Sequence, residues 1–450
     1  MHAVFLSIDC GSSESYTDEN GIEWTGDDAY IENGDSKTVP DKSLVPYPIS
    51  TMRVFSTRKK NCHSIKVDED GGRVLLRASF YYGNYDGKDS PPVFDLQFDG
   101  NFWTTVNTSF SSYDVLSYET IYVVKRNFTS ICVAQTKPGQ LPFISAIEVR
   151  SLGVNMYSQI PSNLALHLIQ RAAFGGNQTI IRYPYDVYDR TWSGAYGFGL
   201  SEVAGPASNG FRLSEVAGQA SRINKRSFQL CVDNKPISDP IIPLFGSASE
   251  AYVTNRIAFA SNSFSIQATT DSTLPPLLNA MEIYTVSDRL TNGTNVNDVE
   301  GLAVVQSGLK VLQEWRGDPC LPSPYTWDWV QCSSDPIPRV TALNLSGYGL
   351  SGSLPDFSSM DALQTIDLSN NSFSRNILDF LGTLPTLTLL GTNNCLNGMS
   401  CPPQSPSPPP KEAQTPSSTN GDGSTTNKLA MILGAIIQFY LVHTVLCKKF

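Results

Sequence analysis

Two well-separated stretches of this chain return later in the sequence, both at one fixed offset. Phe94–Gly100 (FDLQFDG) returns as Phe228–Asn234 (FQLCVDN), with Phe, Leu and Asp in matching places. Leu141–Val149 (LPFISAIEV) returns as Pro275–Ile283 (PPLLNAMEI), where Pro142, Ala146 and Glu148 meet Pro276, Ala280 and Glu282. Two separate blocks in one register identify an internal duplication, so the first two-thirds of the chain reads as two like-built halves. Within each, short apolar/polar alternations broken by Gly, Asn and Asp turns predict strands, as in Arg73–Tyr82, Val93–Phe98 and Thr120–Val124. The second half repeats this with Ser227–Val232, Ile257–Ala268 and Ala280–Val286. Short strands at that spacing are those of a sandwich or jelly roll. The reading is a mainly β protein with modules at 1–155 and 156–295.

Inside the second module, Gly197–Gly205 (GFGLSEVAG) recurs a short way on as Gly210–Gly218 (GFRLSEVAG). That period is too short for a domain and reads as a tandem insertion in a surface loop, where added length is tolerated. Helical periodicity arrives only at Val299–Glu314, with Asn297-Asp298 as its N-cap. This helix and a Cys-flanked, Trp-rich segment occupy 296–338. From Arg339 a second repeat begins: Leu343, Leu345 and Leu350 recur 23 positions on as Ile366, Leu368 and Phe373, then more weakly at Leu389, Gly391 and Leu396. Asn371 and Asn394 share the asparagine place, whose side chain bonds backbone groups in the turn between coils. Period and pattern are those of leucine-rich repeats, assigned to 339–401. So few coils need a cap, and the Cys320–Cys332 segment with Trp315, Trp327 and Trp329 is placed to provide one.

Residues 402–427 form a Pro/Ser/Thr-rich stalk. Leu429–Cys447 then carries no formal charge and is followed by two lysines. That length fits a bilayer core of about 30 Å, so a transmembrane helix is assigned to 428–447, with a glycolipid-anchor signal as the alternative. Nine cysteines and six Asn-x-Ser/Thr acceptors (Asn107, Asn127, Asn177, Asn292, Asn344 and Asn370) point to the secretory route, although Met1–Ser7 is too short for a leader. Cys320 with Cys332 and Cys395 with Cys401 read as local disulfides. Cys10, Cys62, Cys132 and Cys231 allow three pairings. The net charge of −10, without a basic stripe, argues against a nucleic-acid partner.

With these parts in order, the chain resembles the ectodomains of plant receptor-like kinases that join malectin-like modules to leucine-rich repeats. The resemblance rests on Ser7-Ile8-Asp9-Cys10-Gly11, on Tyr188-Asp189-Arg190-Thr191-Trp192, on Leu274–Tyr284 and on the Trp315–Cys320 junction (WRGDPC). Leu343–Pro355 adds to it, and the symbiosis-receptor type carries the same Gly317-Asp318-Pro319-Cys320. The resemblance implies two tandem β-sandwich modules at the cell surface that bind a carbohydrate or peptide ligand. Family members continue into a kinase, and no kinase motif is legible here. Output would then need a kinase-bearing co-receptor.

Sugars stack their C–H faces on aromatic rings and hydrogen-bond to carboxylates and amides. The first module offers Tyr81, Tyr82 and Tyr85 where a strand runs into a loop, with Trp24, Asp28 and Tyr30 earlier. This is roughly where animal malectin, a diglucose binder, places its stacking aromatics. Core packing is the competing account of the same rings. Tyr183, Tyr185, Tyr188 and Trp192 are the second module's lesser candidates.

Other patterns have plainer readings. Gly347–Gly352 spells G-x-G-x-x-G but falls in a turn of a leucine-rich coil, where it carries no dinucleotide. Arg316-Gly317-Asp318 lies inside the capping segment and reads as structural. Asp68-Glu69-Asp70 before two glycines reads as a solvated turn, and no His has a recognisable nucleophile partner. The expectation is a binding protein without catalysis, cofactor or metal. Two alternatives stand beside it: a protein-interaction scaffold that binds no sugar, and a truncated receptor-kinase product.

Overall fold

The computed structural model describes residues 4–67, 72–110, 114–174, 180–194, 225–243, 249–253, 264–375, 388–390, 395–396 and 435–441. The chain divides into two compact units. One is Met1–Lys59 with His63–Thr291 and Leu433–Phe450; the other is Lys60–Cys62 with Asn292–Ile432.

The first unit is mainly β. Its large sheet runs Leu116–Val123, Arg73–Phe80, Ala146–Ser151, Phe5–Asp9, Glu23–Gly26, with all pairs antiparallel except the last. Alternation along these strands sorts their side chains. Val74, Leu76, Ala78 and Phe80 enter one core together with Ile147 and Val149. That core also takes Phe94, Leu96 and Phe98 of Val93–Phe98, and Ile131 and Val133 of Phe128–Gln135. These belong to a second sheet, ordered Lys60–Lys66, Phe128–Gln135, Val93–Phe98, Asn101–Asn107. The core is thus filled from two sheets, as the period-two patterns predicted.

The large sheet continues. Leu166–Ala173 pairs antiparallel with Leu116–Val123 and begins a second run of strands. In spatial order that run is Ser249–Val253, Ala435–Leu441, Ala280–Val286, Leu166–Ala173 and Ser193–Gly194. The membrane-crossing helix expected over 428–447 is not seen where the span is described: Ala435–Leu441 forms a strand, and the rest lies outside the described residues. The physical reason is that Ile436, Ile437, Phe439 and Tyr440 are β-branched and aromatic, and two strands offer them unpaired backbone edges. No described helix is long and apolar enough to cross a membrane.

The second unit opens with a helix at Val296–Gly308. It starts earlier than predicted, because the Asn295 side chain accepts from the Asn297 amide and caps it. Asp298, expected in the cap, is instead fully buried and takes the Arg339 Nε at 2.8 Å and the Val340 amide at 2.9 Å. Val340–Asn344, Thr365–Asp367 and Thr388–Leu390 then form a parallel ladder, with Leu343, Ile366 and Leu389 side by side at the repeat interval. Trp315, Trp327 and Trp329 cluster beside it, and Cys320 is bonded to Cys332. The Asp318 carboxylate accepts from the Cys320 and Leu321 amides and from Thr294, so the Arg-Gly-Asp run is a structural turn. Gly347, Gly349 and Gly352 all have positive φ, as turn glycines do.

Asn371 donates to the carbonyls of Leu345, Leu368 and Ser369 and accepts from the Leu350 amide. Replacing it removes four hydrogen bonds to turn backbone, although the Ser369 carbonyl keeps the Gly347 amide. Asn371→Ala should therefore lower the unfolding free energy of this unit by roughly 2 kcal/mol. Urea unfolding followed by Trp fluorescence checks this, and an unchanged midpoint refutes it.

Candidate functional site

Arg73–Phe80 ends where the sequence reading placed its aromatic cluster. Tyr81 and Tyr82 are 1% and 2% exposed and belong to the core. Tyr85 is half-buried and packs edge-on against Tyr82 and Phe143, at centroid distances of 5.6 and 5.9 Å. Core packing thus accounts for the faces of Tyr81 and Tyr82. What reaches the surface is the loop beyond them, where Gly83, Asn84, Gly87 and Asp89 all have positive φ. The Tyr82 hydroxyl donates to Asp86 Oδ1 at 2.6 Å and Asn84 Oδ1 at 3.2 Å, and Asn84 Nδ2 donates to Asp89 at 2.7 Å. The loop is held from within and presents carboxylates and an amide beside the Tyr85 ring.

The earlier candidates each have contacts of their own. Trp24 is 4% exposed and its Nε1 donates to Asp18 at 3.0 Å. Asp28 is exposed and pairs with Arg53 at 2.8 Å. Tyr30 is partly buried against the core. In the second half, Tyr185 is exposed, Tyr183 and Tyr188 are partly buried, and Trp192 is buried with Nε1 on Asp186 at 2.8 Å. Of the sequons, Asn127, Asn292 and Asn370 are exposed, Asn107 and Asn344 are partly buried, and Asn177 lies outside the described residues. So do Cys401 and the side chain of Cys395. Cys62 and Cys132 are disulfide-bonded, whereas Cys10 and Cys231 are free and buried.

Two constellations escaped the sequence reading. The first is a buried ion network on the face of the large sheet opposite the core. Arg77 meets Glu119 at 2.9 Å and Glu148 at 2.7 Å; Arg150 meets Asp189 at 2.8 Å and Glu148 at 3.0 Å. Arg171 bridges Glu119, at 2.6 Å, to Glu282. Arg182 closes on Glu148 at 2.6 Å and Asp189 at 2.7 Å. Four guanidinium groups thus balance four carboxylates, as buried charge requires. Burial alone would push Glu119 and Glu148 up, but the guanidinium charges outweigh it and hold both below the usual carboxylate range. Carboxylates so held cannot act as the proton donor of a glycosidase.

The second is Cys10, Asp27 and His63, all buried. His63 Nε2 stands 3.1 Å from Asp27 Oδ2 and 3.9 Å from Cys10 Sγ. The spacing suits a metal, but Arg53 occupies both Asp27 oxygens. Burial and the nearby acids push the Cys10 thiol up. The cluster therefore reads as internal packing. One ring nitrogen faces both Cys10 and Asp27, so a nucleophile–base–acid relay is also excluded.

Asp9 lies beside it. Burial raises its carboxyl to about 6 from 3.8, against hydrogen bonds from Thr51 and Tyr16, and the Asp27 charge adds to the rise. A carboxyl raised on folding favours the fold fully below its unfolded value, and that support is lost as pH rises through about 6. Asp9→Asn should thus stabilise the protein by roughly 1–2 kcal/mol at about pH 7.5 and have little effect near pH 4. Urea unfolding at both values checks this; a variant destabilised at the higher pH refutes it.

One further recurring pattern is present in the chain. Asp18 accepts from the Asn20 amide and Trp24 Nε1, and Asp186 accepts from the Tyr188 amide and Trp192 Nε1. Asp-x5-Trp-Thr/Ser-Gly thus occurs once in each half, outside the register shared by the two longer repeated blocks.

Residues 8–205 and 211–286 match the malectin-like domain. The chain belongs to the malectin-like domain family. It is 32% identical to the probable LRR receptor-like serine/threonine-protein kinase At1g05700 of Arabidopsis thaliana, over 80% of this chain and 48% of that protein. It is also 32% identical to the uncharacterized protein At1g24485 of the same plant, over 66% of this chain and 67% of that one. The chain spans about half the length of most curated relatives it matches. Among solved structures it is similar to the plant receptor-like kinase ANX2, at 18% identity and TM-score 0.45, covering 63% of this chain and 97% of that one. The malectin-like chain is mainly β and disulfide-bonded.

Proposed function

We propose that this chain is the recognition part of a receptor-like protein at the outer face of the plasma membrane. Residues 1–295 act as two tandem malectin-like modules, and the parallel ladder after Arg339 acts as a short leucine-rich repeat segment. The ligand is a cell-wall-type carbohydrate, held by the Gly83–Asp89 loop with the Tyr85 ring as its stacking surface and Asp86 and Asn84 as hydrogen-bonding groups. The leucine-rich segment serves contact with a kinase-bearing co-receptor. The observation that carries this reading is the loop itself, in which positive-φ residues and internal hydrogen bonds hold polar groups beside a half-buried ring. Preorganisation of that kind lowers the entropy lost on binding.

The relatives' names support a receptor role, and the buried, paired carboxylates favour binding over hydrolysis. A peptide ligand is the second reading, favoured by the burial of the Tyr81 and Tyr82 faces. Calorimetric titration with a panel of cell-wall oligosaccharides tests the first. Binding should fall at least tenfold in Tyr85→Ala while circular dichroism is unchanged. No sugar bound, or equal affinity in the variant, removes the loop as a carbohydrate site.

A further inference from the structure

The two runs of strands in the large sheet have the same order, and one member of the second comes from far away in sequence. Leu116–Val123, Arg73–Phe80, Ala146–Ser151, Phe5–Asp9 and Glu23–Gly26 correspond to Ser249–Val253, Ala435–Leu441, Ala280–Val286, Leu166–Ala173 and Ser193–Gly194. The correspondence extends to register. Ala146 faces Ser79 and Glu148 faces Arg77; in the second copy, Ala280 faces Tyr440 and Glu282 faces Gln438. On the other side, Phe80 faces Leu116 as Leu441 faces Ser249. Ala435–Leu441 thus occupies the place that Arg73–Phe80 fills in the first run.

The sequence explains why that place is open. The stretch from Gly26 to Phe94 holds Asp35–Thr38, Thr51–Val54, Lys60–Lys66 and Arg73–Phe80. Its counterpart from Gly194 to Phe228 is half as long and largely given to the GFGLSEVAG/GFRLSEVAG tandem. A stretch half as long leaves less chain for the same set of strands. A central position left empty would expose two rows of unpaired backbone groups, which bind an added strand readily. The segment at 435–441 suits the slot, being β-branched and aromatic with one polar residue, Gln438. Gln438 stands opposite Glu282, where the first run has the polar Arg77 opposite Glu148.

We infer that the second half of the large sheet is a strand-acceptor site, completed in cis by Ala435–Leu441 in the manner of donor-strand addition. Seated there, the segment is withheld from any membrane.

Cysteine pairing in the full chain tests this. Met281 and Phe439 face each other, and facing strand positions lie about 4.5–5.5 Å apart at Cα, within disulfide range. Met281→Cys with Phe439→Cys should oxidise to a monomeric link found by peptide mapping, whereas Met281→Cys with Gln438→Cys should not. A second readout is amide exchange in Ala280–Val286, which should quicken roughly tenfold or more in Ile437→Pro, since proline cannot donate to the ladder. A disulfide-linked dimer, the absence of the in-register link, or unchanged exchange in the proline variant overturns the inference.

Discussion

Glu148→Ala should lower the unfolding free energy of the first unit by about 3–5 kcal/mol, the range for removing one partner from a buried ion group. Glu148 is the node at which Arg77, Arg150 and Arg182 meet, and of these Arg77 and Arg150 are almost wholly buried. Its loss leaves four guanidiniums facing three carboxylates, and Arg77, Arg150 and Arg171 are too buried for water to compensate. Glu148→Gln should recover only part of the loss, because an amide accepts hydrogen bonds but brings no charge. The pH dependence follows from the same partners. Glu119 and Glu148 are depressed on folding, so their support is complete above the usual glutamate value of 4.5 and is lost as pH falls below it. Denaturant melts of wild type and variant at neutral and acidic pH check both points. A Glu148→Ala variant within about 1 kcal/mol of wild type would show that the network is not held together as described.

Tyr81→Ala should be nearly as damaging, at about 3–5 kcal/mol, because it removes a large ring from the interior and leaves a cavity. Tyr81 is 1% exposed, and Gly83 approaches so closely that a Cβ there would lie 2.5 Å from the Tyr81 ring. Asp28→Asn, by contrast, alters an exposed carboxylate whose partner Arg53 keeps Asp27, and should change stability by less than about 1 kcal/mol. The contrast bears on binding experiments: lost affinity in Tyr81→Ala would report a damaged fold, whereas Tyr85 and Asp86 can be tested in a folded protein. Thermal unfolding of the two variants distinguishes the cases, and equal midpoints for Tyr81→Ala and wild type would refute the burial account.

Much of this was legible beforehand. Periodicity announced strands at Arg73–Phe80 and Val93–Phe98, and the leucine repeat announced the ladder through Leu343, Ile366 and Leu389. Such features are local: a two-residue alternation or a fixed repeat is written in neighbouring side chains. The Asn371 role was equally visible, since an asparagine at that place in the repeat has only turn backbone within reach.

The aromatic cluster marks the limit. Tyr81, Tyr82 and Tyr85 are close in sequence, yet whether a ring is covered depends on what packs over it, as Phe143 from a distant segment does at Tyr85. The ion network is a stronger case. Arg77, Glu119, Glu148, Arg171, Asp189 and Glu282 are spread across both halves and look like ordinary surface charge until six segments bring them together. The tail shows the same limit for secondary structure. Ala435–Leu441 is apolar enough for a bilayer and β-prone enough for a sheet, and only the open position between Ser249–Val253 and Ala280–Val286 selects the strand.

By itself, then, the chain's order of residues determined the β character, the parallel ladder after Arg339 and the Cys320–Cys332 bridge, because each is encoded over short spans. The tertiary structure alone decided which charges are buried, which rings are covered and what fills the open place in the second set of strands. Those depend on contacts between segments far apart along the backbone, and pair formation there is governed by exclusion of water rather than by local preference.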